Sequence, residues 1–186
     1  MSGIKFNIPF FLTLSRLVFL PVLFWLMFAG HTWWFFGLYI LVGFTDWLDG
    51  YFARKLNQVT EHGHLLDTAA DLPFYISSAY FINNLFPHVI ANNLLAVQAF
   101  FIALGLTILT PLVKFRKLHL LHTNILRLCA TLVFFVTVTS FFFDTTWFAR
   151  IVLWLFFVGL AEEVTIFFLY GEVDPDTRTI LNLVMK

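Results

Sequence analysis

Residues 46–71 read DWLDGYFARKLNQVTEHGHLLDTAAD, and this polar stretch lies between two apolar ones. The apolar segments run from about 34 to 53 and from about 66 to 86, so each overlaps one end of the stretch. A helix needs about 20 apolar residues to cross a bilayer, and both segments have that length. The sequence therefore predicts two membrane helices whose acidic ends are joined by a short polar connection.

The composition of the whole chain agrees with a membrane protein. Of its 186 residues, 60% are apolar and 12% are charged, whereas a soluble domain has about 25% charged residues. So little charge excludes a disordered chain and a nucleic-acid-binding surface, and it disfavours a soluble globule. The single cysteine, Cys129, excludes an internal disulfide and a cysteine-rich metal site.

Six apolar segments predict an all-α, polytopic integral membrane protein with six transmembrane helices. They cover about 8–29, 34–53, 66–86, 93–113, 123–143 and 147–170. The connections alternate between very short and longer polar ones, as in helical hairpins, and no strand-like alternation is visible. We expect a single domain over 1–186, with an N-terminal cytoplasmic segment (about 1–7) and a C-terminal cytoplasmic tail (about 171–186).

Basic residues predict the orientation through the positive-inside rule. With the N-terminus in the cytoplasm, ten lie on or near the cytoplasmic side and only Arg150 lies outside. The ten are Lys5, Arg16, Arg54, Lys55, Lys114, Arg116, Lys117, Arg127, Arg178 and Lys186. Trp33, Trp34 and Trp147 then lie at the outer interface, and Asp144 or a following threonine can cap the last helix.

Four aspartates predict a cation site at the cytoplasmic ends of the second and third helices. Asp46 and Asp49 are three residues apart, and Asp67 and Asp71 are four apart, so each pair shares one helical face. A short connection makes the helices antiparallel neighbours, which brings the two pairs to one depth. Four carboxylates at close quarters repel, and hard cations such as Mg²⁺ or Mn²⁺ relieve that repulsion. We expect two ions, about 3.5–4 Å apart, of the kind that clamps phosphoryl oxygens.

Small residues accompany these acids. Gly50, Ala53 and Gly63 leave room for a large polar group to approach the backbone, and Arg54 suits a phosphate. The alternative is a small-residue packing seam with salt-bridged acids. Four aspartates in register favour the cation site.

Together these residues spell a signature. It reads Asp46-x2-Asp49-Gly50-x2-Ala53-Arg54-x8-Gly63-x3-Asp67-x3-Asp71. The pattern resembles that of the CDP-alcohol phosphatidyltransferase family. Two segments are similar to its phosphatidylglycerophosphate synthase branch: the chain start (Asn7-Ile8-Pro9, Leu12-Thr13, Arg16) and the sequence of residues 46–57. Later segments look like uncharacterised members.

The resemblance implies a phosphatidyltransferase of phospholipid biosynthesis. The donor would be CDP-diacylglycerol, the acceptor an alcohol such as glycerol 3-phosphate, and CMP would leave. Asp46, Asp49, Asp67 and Asp71 would hold two Mg²⁺ or Mn²⁺ ions, and Asp71 would also act as the catalytic base. The CDP-binding positions would be Asp49, Gly50, Ala53, Arg54 and Gly63. The resemblance further implies a homodimer in the lipid bilayer, for which we expect the bacterial inner membrane with both termini cytoplasmic.

The acceptor stays open. Lys114, Arg116, Lys117 and Arg127 are candidates for an acceptor-phosphate pocket, with Arg127 the best because it lies within an apolar helix. The same residues could serve only as an orientation signal and as contacts to anionic lipids. The same chemistry with inositol phosphate, serine or phosphatidylglycerol as acceptor is an alternative.

Two further features bear on the function. Glu162 and Glu163 lie deep in the sixth apolar segment, where a partner such as Arg127 or a backbone group competes with a direct role. A small ion- or proton-coupled carrier is the alternative from another class, since intramembrane acids also serve ion pathways. A carrier predicts acids spread through the bilayer depth and paired repeats. The four aspartates share one depth and no repeat is visible.

Overall fold

The computed structural model describes the backbone of residues 8–55, 61–116, 123–171 and 179–180. It describes the side chains of residues 14–45, 73–114, 116, 123–171 and 179–180. These residues form helices and short turns, with no strand among them. The helices are α1 (Ile8–Phe28), α2 (Thr32–Lys55), α3 (Glu61–Leu85), α4 (Pro87–Ala91), α5 (Leu94–Phe115), α6 (Asn124–Thr139) and α7 (Thr146–Tyr170).

The six long helices match the six predicted segments, and the differences lie at their ends. Helix α3 begins at Glu61 rather than near residue 66, because hydropathy detects its apolar part and misses a polar first turn. Helix α6 ends at Thr139 rather than near residue 143. There Thr139 Oγ1 donates to the Phe135 carbonyl (2.6 Å) and Ser140 Oγ to that of Val136 (2.7 Å), and such bonds compete with helix propagation.

The five-residue helix α4 was not expected from the sequence. Its first residue is Pro87, which cannot continue α3 but whose fixed φ suits the first turn of a new helix. Within α3, Pro73 lies inside an uninterrupted helix. Because proline removes a helix hydrogen bond, Pro73 predicts a kink just beyond Asp71, and this stays a prediction.

The chain divides into two compact units, residues 1–85 and 86–186. In the first unit α1 packs on both α2 and α3. An aromatic cluster fills the space between them: the Phe35 and Phe81 rings meet edge to face at 4.9 Å, and Phe24 lies 4.8 Å from Phe81. Phe35 and Phe81 are fully buried, so this cluster is the core of the unit.

In the second unit α7 contacts α4, α5 and α6. Gly159 lets α6 approach closely, since a Cβ there would lie 2.9 Å from Leu126 Cδ2. On another side, the rings of Phe100 and Phe156 meet at 4.8 Å. Small residues at helix contacts and rings between helices are typical of packed apolar helices.

Two helices meet a length and hydropathy test for crossing a membrane, Leu94–Lys114 of α5 and Thr146–Tyr170 of α7. Shorter apolar stretches occupy α1, α2 and α6. Large apolar side chains point outward, as at Leu95 (82% exposed) and Val113 (79% exposed). An apolar outer surface of this kind suits lipid rather than water.

A polar cluster near the start of α7 explains the one basic residue that the charge rule places outside. Arg150 Nε donates to Asn93 Oδ1 (2.9 Å) and Nη2 to the Asn92 carbonyl (3.1 Å), while the guanidinium lies 4.6 Å from the centre of the Trp147 ring. Asn93 Nδ2 also donates to the Thr146 carbonyl at 3.1 Å. Arg150 therefore ties α7 to the α4–α5 turn.

The N-cap position of α7 is Thr145, which makes no side-chain capping bond, and Asp144 one residue earlier binds the first residue of the helix instead. Asp144 Oδ1 accepts the backbone N–H (2.9 Å) and the hydroxyl (2.6 Å) of Thr146, and His88 Nε2 lies 3.4 Å away. The bonds from Thr146, followed by the charge of His88, hold the pKa of Asp144 below its ordinary value. The carboxylate is thus stabilised by partners of its own unit.

Candidate active site

The signature occupies the C-terminal end of α2 and the N-terminal end of α3, which are consecutive helices. Helix α2 continues without interruption to Lys55, so Asp46 and Asp49 share a helix with Gly50, Ala53 and Arg54. This continuity supports the predicted common face of Asp46 and Asp49.

The second half of the signature lies at the start of α3. Because that helix begins at Glu61, Gly63, Asp67 and Asp71 all belong to it. The side chains of the signature lie outside the described ones, and contacts among them stay predictions. The relative level of the aspartates is therefore inferred from the backbone register of α2 against α3.

A buried contact between Tyr39 and α3 fixes that register. The Tyr39 ring stacks on Phe74 with centroids 5.3 Å apart and planes 17° apart. Its hydroxyl lies 2.8 Å from Ser78 Oγ, and Ser78 Oγ lies 2.8 Å from the Phe74 carbonyl. Since the serine hydroxyl donates to that carbonyl, the tyrosine hydroxyl is the donor to serine. All three residues are buried, so the contact is a specific lock between α2 and α3.

Carried along the helices, this lock predicts a common level for three of the aspartates. Seven residues are two helical turns, which return a side chain to nearly the same face. Asp46 lies seven residues after Tyr39, whereas Asp67 and Asp71 lie seven residues before Phe74 and Ser78. In an antiparallel pair these steps match. The register thus supports a common level for Asp46, Asp67 and Asp71, with Asp49 one turn further along α2.

The chemistry of this donor set fits hard divalent cations. Carboxylate oxygens are the ligands that Mg²⁺ and Mn²⁺ prefer, and repulsion among four of them favours binding of positive charge. Elsewhere, the described side chains include no group of three or more histidine, cysteine, aspartate or glutamate residues able to hold a metal ion. The described part of the chain therefore offers no competing metal site.

The acceptor-phosphate candidates belong to the second unit. Lys114 Nζ donates to the Phe167 carbonyl at 2.9 Å and lies 5.5 Å from the centre of the Phe168 ring. One donor of this candidate is thus engaged with the last turns of α7. Arg116 is exposed and has left-handed backbone (φ 53°) just after α5.

Arg127 is exposed in the first turns of α6. The predicted role of Arg127 in phosphate binding stays a prediction, as do those of Lys114 and Arg116. Lys117 lies outside the described residues.

The two glutamates of α7 differ in their surroundings. Glu162 Oε1 accepts the Thr179 hydroxyl (2.7 Å) and the Ile180 backbone N–H (3.0 Å). This confirms a backbone partner for Glu162 and shows that the tail returns to α7. Glu163 is buried, with 3% of its surface exposed.

Two features near the signature were missed at the level of sequence. The Tyr39–Ser78 lock was not anticipated, although its members lie two turns from Asp46 and Asp71. Arg16 was assigned to the cytoplasmic side, yet its side chain is only 1% exposed. A seven-residue search outward from each aspartate would have found the first; the second depends on packing.

Comparison with known proteins gives one family. The model of the CDP-alcohol phosphatidyltransferase family matches residues 6–169. Three relatives are called CDP-diacylglycerol–glycerol-3-phosphate 3-phosphatidyltransferase. They come from Wigglesworthia glossinidia brevipalpis (44% identical over 70 residues), Haemophilus influenzae (38% over 81) and Bacillus subtilis (37% over 81).

These alignments are partial. They cover 36–42% of this chain and 38–44% of each relative, so the chain matches less than half the length of these relatives. No solved structure matches the chain significantly.

Proposed function

This chain belongs to the CDP-alcohol phosphatidyltransferase family, and we propose that it transfers the phosphatidyl group of CDP-diacylglycerol to an alcohol and releases CMP. The observation that carries the proposal is the register of α2 and α3. The Tyr39 lock supports one level for Asp46, Asp67 and Asp71, where the signature requires its carboxylates to converge.

Each acid has a role in the proposed reaction. Asp46, Asp49 and Asp67 would hold the cations, and Asp71 would share one of them. Mg²⁺ or Mn²⁺, when bound, supplies positive charge against the phosphoryl oxygens. Arg54 would bind the diphosphate of the donor, and Gly50, Ala53 and Gly63 would leave space for the cytidine nucleotide.

Asp71 is the proposed base. Its carboxylate takes the proton of the acceptor hydroxyl as that oxygen attacks the phosphorus attached to diacylglycerol. The bond between this phosphorus and the oxygen that bridges to the cytidine-bearing phosphate breaks, and CMP leaves with the bridging oxygen. The new phosphodiester joins diacylglycerol to the acceptor.

The proposed topology has six membrane-spanning helices, α1–α3 and α5–α7. The cytoplasmic ends of α2 and α3 carry the active site, and both termini are cytoplasmic, in a homodimer of the bacterial inner membrane. Support comes from α5 and α7, which are long and apolar enough to cross a membrane, and from Trp33 and Trp34, which are exposed at the opposite end of α2. Arg150 is the one basic residue on the outer side, and its hydrogen bonds to Asn93 and Asn92 give a structural reason for that position.

Glycerol 3-phosphate is the proposed acceptor. The names of the three relatives specify it, and Lys114, Arg116, Lys117 and Arg127 offer positive charge for its phosphate. The alternative is the same chemistry with inositol phosphate, serine or phosphatidylglycerol as the acceptor, and serine makes the most distinct prediction. Serine carries no phosphate, so its use would not depend on Arg127.

An acceptor panel tests the proposal. Purified protein in liposomes receives CDP-diacylglycerol, Mg²⁺ and one acceptor at a time, and released CMP and the lipid product are both measured. We expect release with glycerol 3-phosphate and a rise of its KM in Arg127→Ala. Folded protein that releases no CMP with any acceptor would contradict the enzyme, and cation or proton flux in the same liposomes would favour the carrier.

A further inference from the structure

Arg16 is the most deeply buried charged residue among the described side chains, with 1% of its surface exposed. It lies seven residues before Leu23, which is fully buried, so both occupy the core-facing side of α1. A guanidinium removed from water needs negative charge or well-placed acceptors beside it. Helix α1 has no acidic residue of its own, so an acidic partner must come from another element.

The packing of α1 on α3 gives the level of Arg16. Both helices are antiparallel to α2 and therefore parallel to each other. Phe24 contacts Tyr80 with ring centroids 5.7 Å apart, and Phe28 contacts the same ring at 6.5 Å. Arg16 lies eight residues before Phe24 and twelve before Phe28. Counting eight and twelve residues back from Tyr80 on α3 gives residues 72 and 68. Arg16 therefore lies at the level of residues 68–72 of α3.

The packing of α1 on α2 gives a compatible level. Helix α1 ends at Phe28 and α2 begins at Thr32 after a tight turn. Twelve residues back from Phe28 is Arg16, and twelve onward from Thr32 is Phe44, half a turn before Asp46. Helical side chains lean toward the N-terminus of their helix, which moves the guanidinium from Phe44 toward the aspartates.

The acids available in this unit are few. Residues 1–85 contain Asp46, Asp49, Glu61, Asp67 and Asp71 and no other carboxylate side chain. Asp71 falls within the level of Arg16 on α3, whereas Asp67 lies beyond its lower edge.

We propose that Arg16 is a positioning residue whose guanidinium pairs with the Asp71 carboxylate. The pairing would orient Asp71 for both of its proposed roles, which are to share a cation and to take the proton of the acceptor hydroxyl. This inference rests on the proposed function for the role of Asp71, but the pairing itself does not require activity. A positive charge at this level also reduces repulsion among the four aspartates, whose own segment offers only Arg54 and Lys55 as basic side chains.

A thermal double-mutant cycle tests the pairing without reference to catalysis. Melting temperatures are measured for wild type, Arg16→Gln, Asp71→Asn and the double variant. Pairing predicts that Arg16→Gln lowers the melting temperature by at most half as much in the Asp71→Asn background as in wild type. Equal losses in both backgrounds would overturn the proposal, as would a larger coupling with Asp46→Asn or Asp67→Asn.

Kinetics test the positioning role. Arg16→Gln should lower kcat roughly 10- to 100-fold, the usual effect of removing a group that orients a ligating side chain. The KM for CDP-diacylglycerol should change less than about threefold, because donor binding is left intact. Arg16→Lys, which keeps the charge without the planar fork, should recover part of kcat and replaces Arg16→Gln if that variant fails to fold. A rise in KM with unchanged kcat would overturn positioning.

Arg150→Gln is the matched control. It removes an arginine with defined hydrogen bonds to Asn93 and Asn92, so it should lower the melting temperature while kcat stays within about twofold of wild type. An equal loss of kcat in Arg150→Gln would show that the Arg16 effect is general destabilisation and would overturn the role. If wild type releases no CMP at all, the proposed function fails while the thermal cycle still decides the pairing.

Discussion

Asp144 and the aspartates of residues 46–71 are the same residue type in two contrasting regions. Asp144 accepts two hydrogen bonds from Thr146 and lies beside His88, so its own unit supplies its partners. Residues 46–71 contain five acids against two basic residues. The charge of Asp144 is thus balanced by partners within its own unit. The excess of negative charge in residues 46–71 instead favours the binding of cations. The difference separates an aspartate that stabilises a helix from aspartates suited to catalysis.

The largest expected effect is a difference in kcat between substitutions of Asp71 and Asp144. Asp71→Asn should lower kcat roughly 10²- to 10⁴-fold, because the amide cannot accept the acceptor's proton. Asp144→Asn should leave kcat within about twofold of wild type, since the contacts of Asp144 are with Thr146 and His88 rather than with the signature. CMP release measures both. Full activity in Asp71→Asn would remove the distinction.

The next effect compares two arginines. Arg54→Gln should raise the KM for CDP-diacylglycerol tenfold or more, by roughly the 1.5–3 kcal/mol of a hydrogen bond to a charged group. Arg150→Gln should lower the melting temperature without changing that KM, because its partners are Asn93 and the Asn92 carbonyl. Steady-state kinetics and thermal melting of the same preparations check the pair. A raised KM in Arg150→Gln alone would reverse the assignment.

Substitutions at buried contacts should affect stability and kcat differently in the two units. Gly159→Ala places a methyl group 2.9 Å from Leu126 Cδ2 and should cost about 1–3 kcal/mol of stability. Tyr39→Phe removes one buried hydrogen bond, which costs about 1 kcal/mol. The Tyr39→Phe variant should nevertheless lose more kcat, because Tyr39 sets the register two turns from Asp46. The opposite ranking of kcat would contradict the role of the lock.

The smallest expected effect is on the pH dependence of stability. Folding lowers the pKa of Asp144, so its contribution is present above the unfolded pKa and is lost as pH falls through the folded value. Asp144→Asn should therefore melt with less pH dependence than wild type on the acid side. Parallel melting curves of the two proteins are the measurement. Identical acid-side slopes would show that the hydrogen bonds to Thr146 do not influence stability.

The sequence predicts the helices better than their ends. Six long helices follow from apolar length, since each needs about 20 apolar residues to cross a bilayer. The start of α3 at Glu61 and the end of α6 at Thr139 escape that reasoning, since the first turn of α3 is polar and Thr139 and Ser140 bond back to backbone carbonyls. The helix that begins at Pro87 is too short to give a hydropathy signal.

The chemistry of the site is predictable from spacing, whereas its supporting contacts are not. Three- and four-residue spacings place Asp46 with Asp49 and Asp67 with Asp71 on common faces. Nothing in the spacing shows that Tyr39 locks onto Ser78 or that Arg16 is buried, because both depend on how α1, α2 and α3 pack. Packing contacts between distant residues leave no local pattern.

Binding of Mn²⁺, followed by electron paramagnetic resonance on the purified protein, tests the central claim most directly. The four aspartates predict two bound ions that are close enough to couple, about 3.5–4 Å apart. Wild type and Asp144→Asn should both give the coupled signal, and Asp67→Asn should lose it. An unchanged signal in Asp67→Asn, or no bound Mn²⁺ in folded wild type, would contradict a cation site built from these carboxylates.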